Sequence, residues 1–197
     1  MSEKYTASQL DILKEVLNIG GGNAATSLSK LLDKTVNMRV PVLERMAYEA
    51  VFEQIMPADT VVRAVQMQSA GDIEGMFLFV LSDLGFNDIT RELLRGYEDK
   101  EDLAESAVCE LVNILVNTFV QAISTFLDLN VQTDMPYIME DMFGSLLTSA
   151  YLEELQYDEN LWIFKNEYLI EGIKWESSLY FVPQNGMLEK LMTEIKF

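Results

Sequence analysis

Two pairs of residues carry the spacing that could do chemistry. Glu15 and Asn18 stand three apart, and so do Glu110 and Asn113. Asp11 and Ser106 lie four residues before the glutamates, and Pro41 and Pro136 lie 23 residues after the asparagines. At about 100° per residue, Asp11, Glu15 and Asn18 fall within about 60° of one another on a helix, as do Ser106, Glu110 and Asn113. A carboxylate and a carboxamide one turn apart make a small polar platform. Asparagine offers a donor and an acceptor together and can orient a water molecule. Glutamate offers a charge to a cation on a partner. Neither is a strong nucleophile, so the chemistry open to such a pair is positioning. The plain alternative is a solvated helix face, the usual meaning of one such pair.

The second copy weighs against that alternative. Residues from Asp11 (DILKEVLNIGGGNAATSLSKLLDKTVNMRVPVL) align without a gap to residues from Ser106 (SAVCELVNILVNTFVQAISTFLDLNVQTDMPYI), at an offset of 95. Eight of 33 positions are identical, among them Glu15/Glu110, Asn18/Asn113, Asp33/Asp128 and Pro41/Pro136. The two stretches have diverged at most positions, yet both keep the Glu, the Asn and the distant Pro. A weaker match pairs Ile73–Ser82 with Trp175–Gln184. The expectation is one domain over 1–197 made of two repeats, about 8–97 and about 103–197, related by a pseudo-two-fold axis.

The elements that must carry these residues follow from periodicity. A helix is expected from Ser8, as N-cap, to Leu32, then a strand over Val36–Leu43 and a short helix over Met46–Ile55. Strands over Thr60–Gln68 and Asp72–Leu81 flank a turn at Ser69–Gly71, and a helix covers Asn87–Gly96. Tyr97–Asp102 is a polar, acidic join. The second half runs in parallel: helix Leu103–Leu127, strand Val131–Tyr137 and helix Asp141–Leu155. Strands Asn160–Lys165, Tyr168–Ile173 and Ser178–Val182 follow, then an amphipathic helix Gly186–Ile195 that docks on its own sheet. The fold class is α+β, an antiparallel β-sheet with long helices packed on it.

Composition removes many functions. The 197 residues hold 14 Lys plus Arg against 32 Asp plus Glu, a net charge of −18. Such a chain repels a phosphate backbone and an anionic bilayer, which argues against nucleic-acid binding and membrane insertion. No histidine is present, which excludes Ser-His-Asp catalysis and His-ligated zinc. Cys109 is the single cysteine, so no internal disulfide forms. The polar start and the absence of an apolar run of about 18 residues lead to the expectation of a cytoplasmic protein without a metal or cofactor of its own.

Gly20-Gly21-Gly22 follows Asn18 directly. Each glycine costs a helix about 1 kcal/mol against alanine. Two reasons would justify that: a bare surface on which another protein comes close to Asn18, or tight packing of the helix on its own sheet or on the second long helix. A phosphate loop is not indicated, because neither GxGxxG nor GK[ST] is present.

The doubled pattern Asp/Ser-x3-Glu-x2-Asn-x22-Pro resembles the CheC family of chemotaxis phosphatases, and LKEVLNIGGGNAATSLSKLL looks like the family's first helix. Two copies separate it from the single-site relative CheX. The related FliY would add a C-terminal domain for which the 197 residues leave no room. The resemblance implies a protein phosphatase that hydrolyses the aspartyl phosphate of the response regulator CheY. Asn18 and Asn113 would orient the attacking water, and Glu15 and Glu110 would anchor the partner. Asp11, Ser106, Pro41 and Pro136 would support the motif. Mg2+ would sit in the CheY site, and CheD would be a second partner. A non-catalytic adaptor for phosphorylated CheY or CheD, or a flagellar-switch component, is the alternative. Asn117 departs from the family, whose second helix often has a small residue there, and leaves open which site is stronger.

Overall fold

The first helix is started by Thr6. Its hydroxyl accepts the Gln9 backbone N–H at 3.3 Å, and the Gln9 side-chain carbonyl accepts the Thr6 N–H at 2.9 Å. This reciprocal box satisfies two otherwise orphaned donors, so the helix opens two residues before the expected Ser8 cap. The helix, α1, runs Ala7–Leu32 and ends at Asp33, which takes the left-handed conformation with φ 48°. In this computed structural model residues 5–97, 103–154, 160–171 and 177–194 are described. The expected element ends at Leu155, Ile173 and Ile195, and Glu98–Asp102 of the join, lie outside them.

Strands β1 (Val36–Met38) and β2 (Val42–Ala47) follow, then α2 (Tyr48–Gln54), β3 (Val61–Gly71), β4 (Gly75–Leu81) and α3 (Asp83–Leu93). The same order recurs as α4 (Ala104–Leu127), β5 (Val131–Thr133), β6 (Tyr137–Met142), α5 (Phe143–Glu153), β7 (Asn160–Ile170), β8 (Ser177–Pro183) and α6 (Met187–Glu194). The α4 helix ends as α1 does, on a left-handed aspartate, Asp128, with φ 56°.

All strand pairs are antiparallel, in the order β1-β7-β8-β4-β3-β5, with β2 also on β7 and β6 also on β3. Exchanging the halves maps every pairing onto another. β1 on β7 becomes β5 on β3, β2 on β7 becomes β6 on β3, and β4 on β8 returns to itself. The registers agree as well. Val42 opposite Lys165 has its counterpart in Tyr137 opposite Gln66, and Leu78 opposite Tyr180 is its own counterpart. The pseudo-two-fold axis therefore passes between Leu78 and Tyr180.

The sheet is covered on both faces. Phe77, Phe79 and Phe181 point to the face where α1 and α4 lie, with α6 buried in the same cluster through Met187, Leu188 and Leu191. Met76, Leu78 and Tyr180 alternate to the other face, against Val51 of α2 and Leu147 of α5. Every residue of β4 and β8 is buried, as expected for central strands with two covered faces.

Several boundaries differ from expectation for physical reasons. Each expected strand through a motif proline is two strands. Three residues, Arg39 to Pro41, separate β1 from β2, while only Asn166 and Glu167 lie opposite on β7. Asp134 to Pro136 do the same against Met67 and Gln68 of β3. One extra residue against a continuous partner is a β-bulge, where proline's missing N–H costs no ladder bond. Conversely, the two strands expected over Asn160–Ile173 are a single strand, β7, because Lys165 and Glu167 pair with each other at 2.6 Å across the polar stretch read as a break. The turn between β3 and β4 sits at Asp72–Glu74, three residues later than expected, with positive φ at Gly71 and Gly75. The helices α2 and α5 begin at Tyr48 and Phe143, two residues after the expected starts, because β2 and β6 continue to Ala47 and Met142. The α3 helix begins four residues early, where the Ser82 hydroxyl accepts the Gly85 N–H at 3.1 Å.

The α4 helix is, by length and composition, apolar enough to cross a bilayer, a run that the sequence reading missed. Here Val108, Leu111, Val112, Leu115 and Val116 are buried in the cluster it shares with α1 and the sheet.

Candidate functional site

On α1 the apolar stripe of Leu13, Val16, Leu17 and Ala24 is buried, which turns Asp11, Glu15 and Asn18 outward, and all three are exposed. On α4 the stripe from Val108 to Ile123 is buried, with Ser106 and Glu110 exposed and Asn113 half-buried. Each helix thus presents its Glu and Asn together, one turn apart, beside a buried face. The two pairs occupy counterpart positions about the pseudo-two-fold axis.

The three glycines have three different surroundings. A β-carbon at Gly20 would lie 2.9 Å from the Phe119 ring and 3.0 Å from Ile123, so Gly20 lets α1 and α4 pack closely. One at Gly21 would collide with Met38 of β1 and lie 2.9 Å from Asn166 of β7, so Gly21 seats the helix on the sheet. One at Gly22 would meet none of the described residues within 4 Å. The packing reading holds at Gly20 and Gly21, while Gly22 leaves bare helix surface one turn after Asn18.

The prolines lie at the bulges. Pro41 is buried and Pro136 half-buried. Just before them, the Arg39 N–H donates to the Glu167 carbonyl at 3.0 Å, and its counterpart Asp134 donates to Gln68 at 2.9 Å. The bulges fix where β1 and β5 end, and those ends lie beside the long helices. Met38 packs at Gly21, and Thr133 bonds to Asn117 of α4. Each bulge also projects an apolar residue into solvent: Val40 and Met135 are each 83% exposed.

The two sites differ in their hydrogen bonds. Among the described residues the Asn18 and Glu15 side chains have no partner. Asn113 is held from both sides. Its Nδ2 donates to Glu110 Oε2 at 3.3 Å, and its Oδ1 accepts from Asn117 Nδ2 at 2.7 Å. Asn117 in turn accepts from the Thr133 hydroxyl at 2.8 Å. Thr133 was not singled out from the sequence. Its one signal was the repeat itself, where Asn117 and Thr133 replace Gly22 and Met38 together.

Among the described residues no three Cys, Asp or Glu side chains converge as a metal site. The chemistry available is that of exposed carboxamides and carboxylates on rigid helices: orienting water, and pairing with a cation.

Residues 9–45 match the model of the CheC-like family. The chain is 27% identical over 195 residues to the CheY-P phosphatase CheC of Bacillus subtilis, covering 95% of this chain and 93% of that protein. Its fold is similar to crystal structures of Thermotoga maritima FliY (TM-score 0.75, 20% identity, 98% of each chain) and of the FliM middle domain from H. pylori (TM-score 0.59, 12% identity, 97% of this chain and 100% of that one). Because 98% of the solved FliY chain is covered, length does not separate this chain from that one. With a family model fitting its first helix and strands, a relative aligned along nearly its whole length and the fold shared, the chain is similar to CheC-like proteins from end to end.

Proposed function

We propose that this protein is a phosphatase for the aspartyl phosphate of a CheY-like receiver domain. The observation that carries the reading is the exposed Glu15–Asn18 pair, one turn apart on a helix whose next turn is bare at Gly22. Phosphoryl transfer asks mainly for positioning and charge stabilisation. A protruding carboxamide can hold water in line with the phosphorus, and the carboxylate beside it can pair with a lysine on the partner. The aspartate that carries the phosphoryl group and the Mg2+ belong to the receiver domain. This division of labour suits a chain without histidine and with a single cysteine. The similarity to CheC of Bacillus subtilis supports the substrate. CheD enters as a second partner by the family resemblance alone, and the setting is cytoplasmic. With a net charge of −18, association with an acidic receiver domain is unsteered and strengthens as salt screens repulsion.

A second reading, a non-catalytic adaptor or flagellar-switch component, draws support from the fold shared with the FliM middle domain. The decay of a phosphorylated CheY-like receiver, measured with this protein at substoichiometric amounts and with or without CheD, separates the two. Faster decay with turnover, lost in Asn18→Ala/Asn113→Ala while binding persists, is the expected result. Binding without acceleration under either condition would establish the adaptor.

A further inference from the structure

We infer that the two Glu–Asn pairs are unequal, with Asn117 acting as a latch that keeps Asn113 folded along α4 and leaves the α1 pair as the working site. The inference rests on the phosphatase reading for its activity assay and on geometry for the latch itself. An asparagine that orients water inside a partner must stand off its helix with its carboxamide available. Asn18 meets both conditions: it is exposed, it has no partner among the described residues, and the position one turn on is Gly22 with open space above it.

Asn113 meets neither condition. Its carboxamide is bonded three residues back to Glu110 and four residues on to Asn117, a pair of contacts that lays it along the helix surface. Glu110, the residue that would anchor a partner, is engaged by the same side chain. Asn117 Nδ2 also donates to the Asn113 backbone carbonyl at 2.9 Å, and its Oδ1 accepts from Thr133 Oγ1 at the end of β5. The latch is thus anchored to the sheet, and releasing Asn113 means breaking a linked set of bonds. The first half lacks both parts. Gly22 has no side chain, and Met38, the counterpart of Thr133, has no hydroxyl and packs inward at Gly21. Asn117 is a positioning residue: it acts on water or phosphate only through Asn113.

The test compares wild type with Asn18→Ala, Asn18→Ala/Asn117→Ala and Asn18→Ala/Thr133→Val in receiver-phosphate decay. In parallel, the side-chain carboxamide signals of Asn18 and Asn113 are followed by NMR. The expected result is a loss of at least tenfold in Asn18→Ala and a gain of at least threefold over that level in each double variant. By NMR, the wild-type Asn113 carboxamide is rigid and Asn18 mobile. Titration with a beryllofluoride-activated receiver shifts Asn18 and leaves Asn113 in place, and Asn117→Ala sets Asn113 moving. A halving of activity in Asn18→Ala, or double variants no faster than Asn18→Ala, would overturn the inference. So would an Asn113 carboxamide as mobile as that of Asn18 in wild type. If wild type does not accelerate decay at all, it is the phosphatase reading that falls, and the NMR arm decides the latch by itself.

Discussion

Gly20 of α1 faces Phe119 of α4 so closely that a β-carbon there would lie 2.9 Å from the ring, whereas one at Gly22, two residues on, would touch none of the described residues within 4 Å. Identical residues in one helical turn are therefore held by unlike constraints, and alanine distinguishes them. Replacing a helical glycine gains about 0.5–1 kcal/mol of backbone entropy and helix propensity. Overpacking a filled interface costs about 1–3 kcal/mol. Gly20→Ala should lower the urea midpoint and Gly22→Ala should raise it. A Gly20→Ala variant as stable as Gly22→Ala would show that α1 and α4 can part without cost.

Asp33 and Asp128 end the two long helices in the left-handed region, and each puts a negative charge at the negative end of the helix dipole. Asparagine tolerates that backbone equally well and removes the charge. Asp33→Asn and Asp128→Asn should each add about 0.3–1 kcal/mol, less in high salt. Asp33→Val should subtract about 1–2 kcal/mol, because a branched side chain collides with the backbone at that φ. Chemical denaturation at two salt concentrations checks both signs.

Glu154 closes α5 with only 4% of its surface exposed. Burial, and then the nearby Glu153 and Glu74 carboxylates, raise its pKa from the usual 4.5 to about 7. Between those values the folded chain keeps a proton that the unfolded chain releases. This group's contribution is therefore full below about pH 4.5 and is lost as pH rises through about 7. Glu154→Gln, neutral throughout, should match wild type near pH 4.5 and exceed it in stability at pH 8. A stability difference between the two that does not grow over that range would refute the assignment.

The symmetry of the molecule was readable from the repeat at an offset of 95, because the same Glu, Asn, Asp and Pro recur in stretches that otherwise diverged. The long helices were readable from their apolar stripes. The strand break at each motif proline was not, since β1 and β2 lie on one continuous partner and only the pairing with β7 reveals the extra residue. The unity of β7 was hidden for the opposite reason: Asn166 looks like a breaker, yet it is buried against the α1 surface at Gly21. At the candidate site, residue types and spacing singled out both pairs, and each pair lies one turn apart on its helix as expected. The bond from Thr133 to Asn117 joins elements whose contact exists only once the sheet is formed.

The exchange of strands between halves has a consequence for the order of folding during synthesis. Among the described residues β1 and β2 pair with β7 and with no strand of their own half, so Leu43 waits for Phe164. At 5–20 residues per second that interval is roughly 6–24 s. Through it, α1 and the β3–β4 hairpin expose apolar faces, and β4 offers an unpaired edge made wholly of residues that end up buried. The nascent first half is thus a natural client for a chaperone at the ribosome. A chain stalled before β7 is expected to associate with copies of itself through β4, the strand that in the finished protein is capped by β8.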